Sequence, residues 1–269
     1  MKYGKIVEGK FIDRPNRFIA HVEMQGRPET VHVKNTGRCR ELLLPGAAVR
    51  LEVSDNPSRK TLYDLVAVYK ENIGWINIDS QAPNKVVKEW LKKQDYDLVR
   101  PEYTYGNSRI DFYMEKGERK YLLEVKGCTL EIDGIGYFPD APTERGVKHL
   151  RELTQAVEAG YTCMVAFVIQ MQGITEVRPY TAMQPEFGVA WQQAVDAGVQ
   201  MLFLRASLNA MVYALNPRTP TANGTSRLDV ASPGVNFLRK VLKENINTLR
   251  QTSRHDISFV VGVLRPGSL

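Results

Sequence analysis

YLLEVKGCTL, residues 121–130, is the stretch on which the fold of this 269-residue chain turns. Tyr121, Leu123 and Val125 alternate with Leu122, Glu124 and Lys126, the period-two pattern of a β-strand with one apolar face. The opposite face carries an acid and a base two positions apart. Glu-x-Lys alone is uninformative, since it recurs as Glu8/Lys10 and Glu118/Lys120. Only Glu124/Lys126 stands in mid-strand among apolar neighbours, and only it follows a strand bearing an acid, Asp111 in RIDF (109–112).

Neighbouring strands lie about 5 Å apart, so Asp111 and Glu124 are expected to converge on one edge of a sheet. Two such carboxylates repel each other unless a positive charge lies between them. Mg²⁺, or Mn²⁺ in its place, suits that position, because it takes oxygen ligands, few from protein and the rest from water and phosphate. The expected metal ligands are Asp111, Glu124 and the Val125 carbonyl. A cation there polarises a phosphate and acidifies a bound water. Lys126 then orients that water or stabilises charge growing on the phosphate. Asp111, Glu124 and Lys126 are thus the candidate catalytic set, and their order resembles that of the PD-(D/E)xK nucleases. The structural alternative is a Glu124–Lys126 ion pair joined by Asp111, which if exposed contributes only about 0–1 kcal/mol.

Downstream, FPDAPTERG (138–146) leads into the strongest helix signal in the chain, TERGVKHLRELTQAVEAG (143–160). Thr143 is a natural N-cap, Glu144 falls in the first turn, and Gly160 closes the helix. Val147, Leu150, Leu153 and Val157 form its apolar stripe. Arg145, Lys148, His149 and Arg151 gather in the first turns, where a helix N-terminus can hold a phosphate; the alternative is a solvated basic face. Asp140 is either a third acidic group or a turn residue.

Residues 80–204 read as an α/β domain with a mixed sheet: a helix at NKVVKEWLKKQ (84–94), strands at LVRPEYTY (98–105), RIDFYME (109–115) and KYLLEVKG (120–127), the Thr143 helix, a strand at TCMVAFVIQ (162–170), a helix near PEFGVAWQQAVDAG (185–198), and a strand at VQMLFL (199–204). Asp133-Gly134-Ile135-Gly136 reads as a turn. Residues 1–79 read as an all-β module. Five strand-like runs, KIVEGKFID, RFIAHVEM, ETVHVKN, AAVRLEVS and TLYDLVAVYK, are split by turns at Pro15-Asn16, Gln25-Gly26 and Asp55-Asn56-Pro57. Between the third and fourth, TGRCRELLLPG (36–46) has room for one short helix, which is the order of an OB-like barrel.

The net charge of +6 is misleading until it is located. Residues 205–269 hold nine Lys/Arg and three Asp/Glu, while residues 1–204 hold 27 of each. Any basic surface in the first 204 residues is therefore local. The longest apolar run, CMVAFVI (163–169), falls far short of the ~20 residues of a membrane span, and the start MKYGKIVEGK has no signal-peptide core. Three scattered cysteines, Cys39, Cys128 and Cys163, suggest neither a disulfide framework nor a zinc site, so a cytoplasmic location is expected.

HVKNTGRCRELLLPG (32–46), SRIDF (108–112), LLEVKGCTL (122–130) and FPDAPTERGVKHLREL (138–153), in this order, resemble the bacterial sugar fermentation stimulation protein family (SfsA) over roughly residues 1–204. The resemblance implies an N-terminal OB-like β-barrel followed by a PD-(D/E)xK nuclease-like mixed-sheet domain. It also implies DNA binding with little sequence preference and a regulatory role in sugar, notably maltose, metabolism. The family's acidic positions map onto Asp111 and Glu124, its lysine onto Lys126, and its N-terminal signature onto Asn35, Gly37 and Arg38. Thr36-Gly37 permits close backbone approach, and Lys34, Arg38 and Arg40 supply charge for phosphate contact. The alternative is a plain turn at Gly37 with Arg38 paired to Glu41. With Arg145 and Lys148, these residues make the expected DNA-binding set. Two functions compete within this reading, a DNA-binding regulator and an active metal-dependent nuclease whose main role is DNA processing. A sugar-metabolising enzyme finds no phosphate loop, redox fingerprint or glycosidase signature in the sequence.

The tail, 205–269, departs from the family. NPRTPTANGTSRLDVASPG (216–234) reads as loop or disorder, and VNFLRKVLKENINTLR (235–250) as a basic amphipathic helix. A frame change near residue 204 and a DNA-binding extension are the two explanations of this departure.

Overall fold

The computed structural model describes residues 1–35, 37–209 and 212–215. The loop and helix expected over 216–250 lie outside the described residues.

Six strands build the first domain: β1 (Ile6–Asp13), β2 (Ile19–Met24), β3 (Arg27–Val33), β4 (Ala48–Val53), β5 (Tyr63–Lys70) and β6 (Gly74–Asn77). They run in the order β3-β2-β1-β4-β5-β6, and β3 also pairs in parallel with the start of β5 at His32↔Asp64 and Val33↔Leu65. That pairing closes five strands into an OB barrel. The alternating residues Phe11, Ala20, Val22, Val31, Val33, Val49, Leu51 and Leu65 fill its interior. Gln25-Gly26 makes the two-residue hairpin expected there, with φ of 51° and 77°, the left-handed pair that matches strand twist.

The short helix expected within 36–46 is not found among the described residues 37–46. Cys39 has φ 45°, and Leu42 and Leu43 both donate to its carbonyl in a single turn. A left-handed residue at the start and Pro45 at the end leave no run long enough to propagate a helix. Leu42 and Leu43 are instead buried plugs in the core, while Leu44 is exposed.

The chain enters the second domain between Asn77 and α1 (Ala82–Leu91), then continues through β7 (Leu98–Tyr105), β8 (Ser108–Lys116), β9 (Arg119–Cys128), β10 (Leu130–Ile132), β11 (Ile135–Phe138), α2 (Glu144–Glu158), β12 (Thr162–Ile169), β13 (Val177–Pro179), α3 (Pro185–Asp196), β14 (Gln200–Asn209) and β15 (Val212–Leu215). The main sheet has the order β15-β14-β12-β9-β8-β7, parallel from β9 through β12 to β14 and antiparallel at both flanks. β10, β11 and β13 form a small separate sheet, so the turn expected at Asp133-Gly134 is the tip of a hairpin. Strands this short carry no periodic signal in the sequence.

β9 does not have the single apolar face its alternation suggests. Tyr121, Leu123 and Val125 pack in one cluster with α1, whereas Leu122 and Cys128 pack in another with α2 and α3. Helices on both sides make the central parallel strands buried on both faces. Glu124 therefore lies in the interior, 3% exposed, beneath α2. Thr143 caps that helix as expected, its hydroxyl accepting from Gly146 N at 3.0 Å, and Gly160, at φ 88°, ends it.

Candidate functional site

The β8–β9 ladder ends at Phe112↔Leu123. Continued by one step, it would set Asp111 opposite Glu124. Instead the Val125 N–H donates to Asp111 Oδ2 at 2.7 Å, so the acid's side chain takes the place of the next backbone partner. The paired ladder stops at that point, next to both acids, whose charges act on one another. Asn84, on α1, donates to Asp111 Oδ1 at 2.6 Å.

Glu124 is held from two sides. Lys126 Nζ donates to its Oε1 at 2.6 Å, and His149 Nδ1 contacts the same oxygen. Among the described residues the other oxygen, Oε2, is buried without a hydrogen-bond partner. A buried carboxylate oxygen left unpaired carries a desolvation penalty of about 1–3 kcal/mol or more, so it calls for a cation or donor from outside the chain. The acids are electrostatically coupled. Burial, and next the charge of Glu124, push the Asp111 carboxyl up to about 6. Burial works against the charge on Glu124 too, but Lys126 and His149 outweigh it and hold that carboxyl below its ordinary value. One firmly ionised acid with an unsatisfied carboxylate oxygen, electrostatically coupled to one reluctant acid, fits a hard divalent cation. Among the described residues no three His, Cys, Asp or Glu side chains gather as a ready metal cluster, so the Val125 carbonyl, water and phosphate would complete the shell.

His149 is the residue that sequence reasoning misplaced. The sequence sets it with Arg145, Lys148 and Arg151 on a basic turn, phosphate-holding or solvated, but it is only 2% exposed and points at Glu124. The signal was present: positions 146, 149, 150 and 153 share one side of a 3.6-residue helix, and all four are buried. Arg145 is exposed, and its Nε donates to His149 Nε2 at 3.3 Å. Lys148 is also exposed and donates to the Asn107 carbonyl at 3.0 Å. Asp140 stands apart from the acidic pair, against Gly37 of the barrel; a β-carbon on Gly37 would sit 2.7 Å from its Oδ2. Glycine at 37 is thus fixed by a close approach between the two domains.

The N-terminal signature divides in two. Lys34 is not a free cation: its Nζ lies 3.0 Å from Glu52 and 3.2 Å from Asp64. Burial opposes its charge, yet Glu52, Asp79 and Asp64 together keep its pKa above the usual lysine value. Asn35 is a loop-former, donating to the Ile78 carbonyl at 2.9 Å and accepting from Gly37 N at 2.7 Å. Arg38 and Arg40, by contrast, are exposed and line a cleft of about 690 Å³ with Arg14 and Arg17 on one side and Ala141-Pro142 on the other. The acid whose charge Arg38 favours is Asp140, not Glu41. Arg14, unremarked in the sequence, shapes this wall by donating to the carbonyls of Arg17, Asn35, Gly37 and Arg38.

Residues 12–78 match the model of the SfsA N-terminal OB domain, and residues 81–211 that of the sugar fermentation stimulation protein RE domain. A sugar fermentation stimulation protein homolog of Desulfitobacterium hafniense is 56% identical over 207 residues, spanning 76% of this chain and 90% of the relative. The chain belongs to the sugar fermentation stimulation protein family. Another SfsA homolog, from Clostridium beijerinckii, is 52% identical over 206 residues, spanning 75% of this chain and 91% of the relative. The Pyrococcus furiosus SfsA structure, determined in complex with Ca²⁺, superimposes with a TM-score of 0.70 at 25% identity, over 79% of this chain and 95% of that one. The SfsA family match runs to residue 211, and β14 likewise continues past residue 204 to Asn209.

Proposed function

We propose that this protein binds DNA with little sequence preference and hydrolyses phosphodiesters at a Mg²⁺- or Mn²⁺-dependent centre formed by Asp111, Glu124 and Lys126. The observation that carries this reading is the end of the β8–β9 ladder, where Glu124 has one buried oxygen without a hydrogen-bond partner among the described residues and couples electrostatically to a reluctantly ionised Asp111. Asp111, Glu124 and the Val125 carbonyl would hold the cation, which supplies an acidified water and screening of phosphate charge. The relative from Pyrococcus furiosus, solved with Ca²⁺, supports a hard, oxygen-liganded ion.

The chain's own residues do the rest. Lys126 holds Glu124 Oε1 and brings an ammonium to the place where phosphate charge develops. Arg38 and Arg40 in the interdomain cleft, with Arg145 on the α2 N-terminal turn, offer phosphate contacts that do not depend on base identity. No helix of the described residues is long and apolar enough to cross a membrane. Cys39, Cys128 and Cys163 are free and buried, which agrees with a cytoplasmic setting.

A second reading keeps DNA binding and drops catalysis: a regulator of sugar, notably maltose, metabolism that uses the cation to dock DNA. The family's name favours it. One experiment separates the two. The protein is incubated with labelled single-stranded, duplex and branched DNA in Mg²⁺, Mn²⁺ or EDTA, beside Glu124→Gln and Lys126→Ala. Metal-dependent cleavage lost in both variants is expected. Retardation without cleavage in any metal refutes the nuclease half, and no retardation at low salt refutes the DNA half.

A further inference from the structure

His149 has no assigned role in that scheme, yet it is the most deeply buried partner of the metal-holding acid. Its side chain is 2% exposed and that of Glu124 is 4%. The contact is dry: the crevice between Glu124, His149, Leu150, Leu153 and Phe167 has no room for a water molecule. A hydrogen bond in such surroundings is electrostatically strong, and nothing from solvent can replace it.

The hydrogen-bond network also sets the state of the ring. Arg145 can only donate, so His149 Nε2, 3.3 Å from its Nε, accepts. In the neutral ring the proton is then on Nδ1, which donates to Glu124 Oε1. Lys126 donates to that same oxygen, so among the described residues both donors to Glu124 converge on Oε1 and none reaches Oε2. The arrangement is asymmetric in a useful way, because one oxygen is anchored and the other is left for an external ligand. α2 provides the rigidity: Val147 and Leu150 pack into the core on either side of His149 in the sequence, and Leu153 packs one turn further on.

We infer that His149 is a positioning residue, which anchors Oε1 of Glu124 from α2 so that Oε2 is presented to a divalent cation, with Arg145 fixing the tautomer required. This inference rests on the metal reading of Glu124 proposed above. Partners that orient a metal-binding side chain typically account for 10–100-fold in metal affinity.

The test compares His149→Asn with His149→Gln by calorimetric titration of Mn²⁺ into the full-length protein, beside wild type and Glu124→Gln. Both substitutions place a polar amide at the same buried position. Asn sets its N–H near where Nδ1 lies, whereas Gln sets it near Nε2 and away from Glu124. Asn is expected to bind Mn²⁺ close to wild type, and Gln about 10–100-fold more weakly. ¹⁵N-histidine NMR of the wild type, read alongside, is expected to show the Nδ1–H tautomer. Equal, wild-type-like affinity of both variants, with Glu124→Gln unable to bind, overturns the role of His149 and leaves the metal site standing. An Nε2–H tautomer overturns it as well. Wild type that binds no Mn²⁺, or Glu124→Gln that binds like wild type, removes the metal reading and this inference with it.

Discussion

Asp111→Asn is expected to stabilise the metal-free protein while destroying its site. The Asp111 carboxyl is raised from 3.8 to about 6, first by burial and then by the charge of Glu124. Each pKa unit corresponds to about 1.36 kcal/mol, so keeping Asp111 ionised in the fold costs about 3 kcal/mol at most. The carboxyl keeps some solvent contact, which screens part of this and leaves about 1–3 kcal/mol. The sign follows from proton linkage. The folded chain holds this proton more tightly than the unfolded one, so stability from this group falls as pH rises from about 4 to 6 and then stays flat. Asn removes the charge but keeps an acceptor for the Val125 N–H, and Asn84 can turn its amide to accept from the new NH₂. The assay is thermal unfolding in EDTA at pH 4.5 and pH 8. The variant should melt about 3–8 °C higher at pH 8, with the gap reduced to roughly a third at pH 4.5. Mg²⁺ should raise the melting temperature of wild type and leave the variant unchanged. A variant less stable than wild type at pH 8, or an offset equal at both pH values, would refute the reasoning.

Other perturbations test other parts of the structure. Arg14→Ala removes the donor to four loop carbonyls and should cost about 2–4 kcal/mol in urea unfolding while weakening DNA retardation. Arg38→Ala and Arg40→Ala should each reduce the slope of log K against log salt by about 1, measured by anisotropy with duplexes of unrelated sequence. Lys34→Ala should instead lower stability, because its ammonium balances buried acids. Asp64 is opposed by burial but held well below the usual carboxylate range by Arg59, His32 and Lys34. Its stabilisation is complete above about pH 4 and shrinks as pH falls toward the depressed folded value, so Asp64→Asn should cost about 3 kcal/mol at pH 7 and roughly half of that or less at pH 2, read by denaturant titration.

Much of this protein was legible in its sequence, because the relevant signals are local. Period-two alternation placed β1 to β5 and β7 to β9. The Thr143 cap, the apolar stripe and Gly160 placed α2, and Gln25-Gly26 placed its hairpin. Glu124 and Lys126 stood out because charges are rarely set in an apolar strand without cause. Tertiary structure alone decided the rest. Which oxygen of Glu124 is open depends on His149 and Lys126 meeting at Oε1, and His149 arrives from a different element. Whether a lysine faces solvent or three acids cannot be read from Lys34 and its neighbours, since Glu52, Asp64 and Asp79 come from distant parts of the chain. The loop after Asn35 shows both causes: Cys39 and Pro45 locally leave no room for a helix, while Arg14, 21 positions before Asn35, holds the backbone of the loop that takes its place. Periodicity and caps are properties of consecutive residues, whereas burial, charge pairing and the end of a strand ladder arise only when distant segments are brought together.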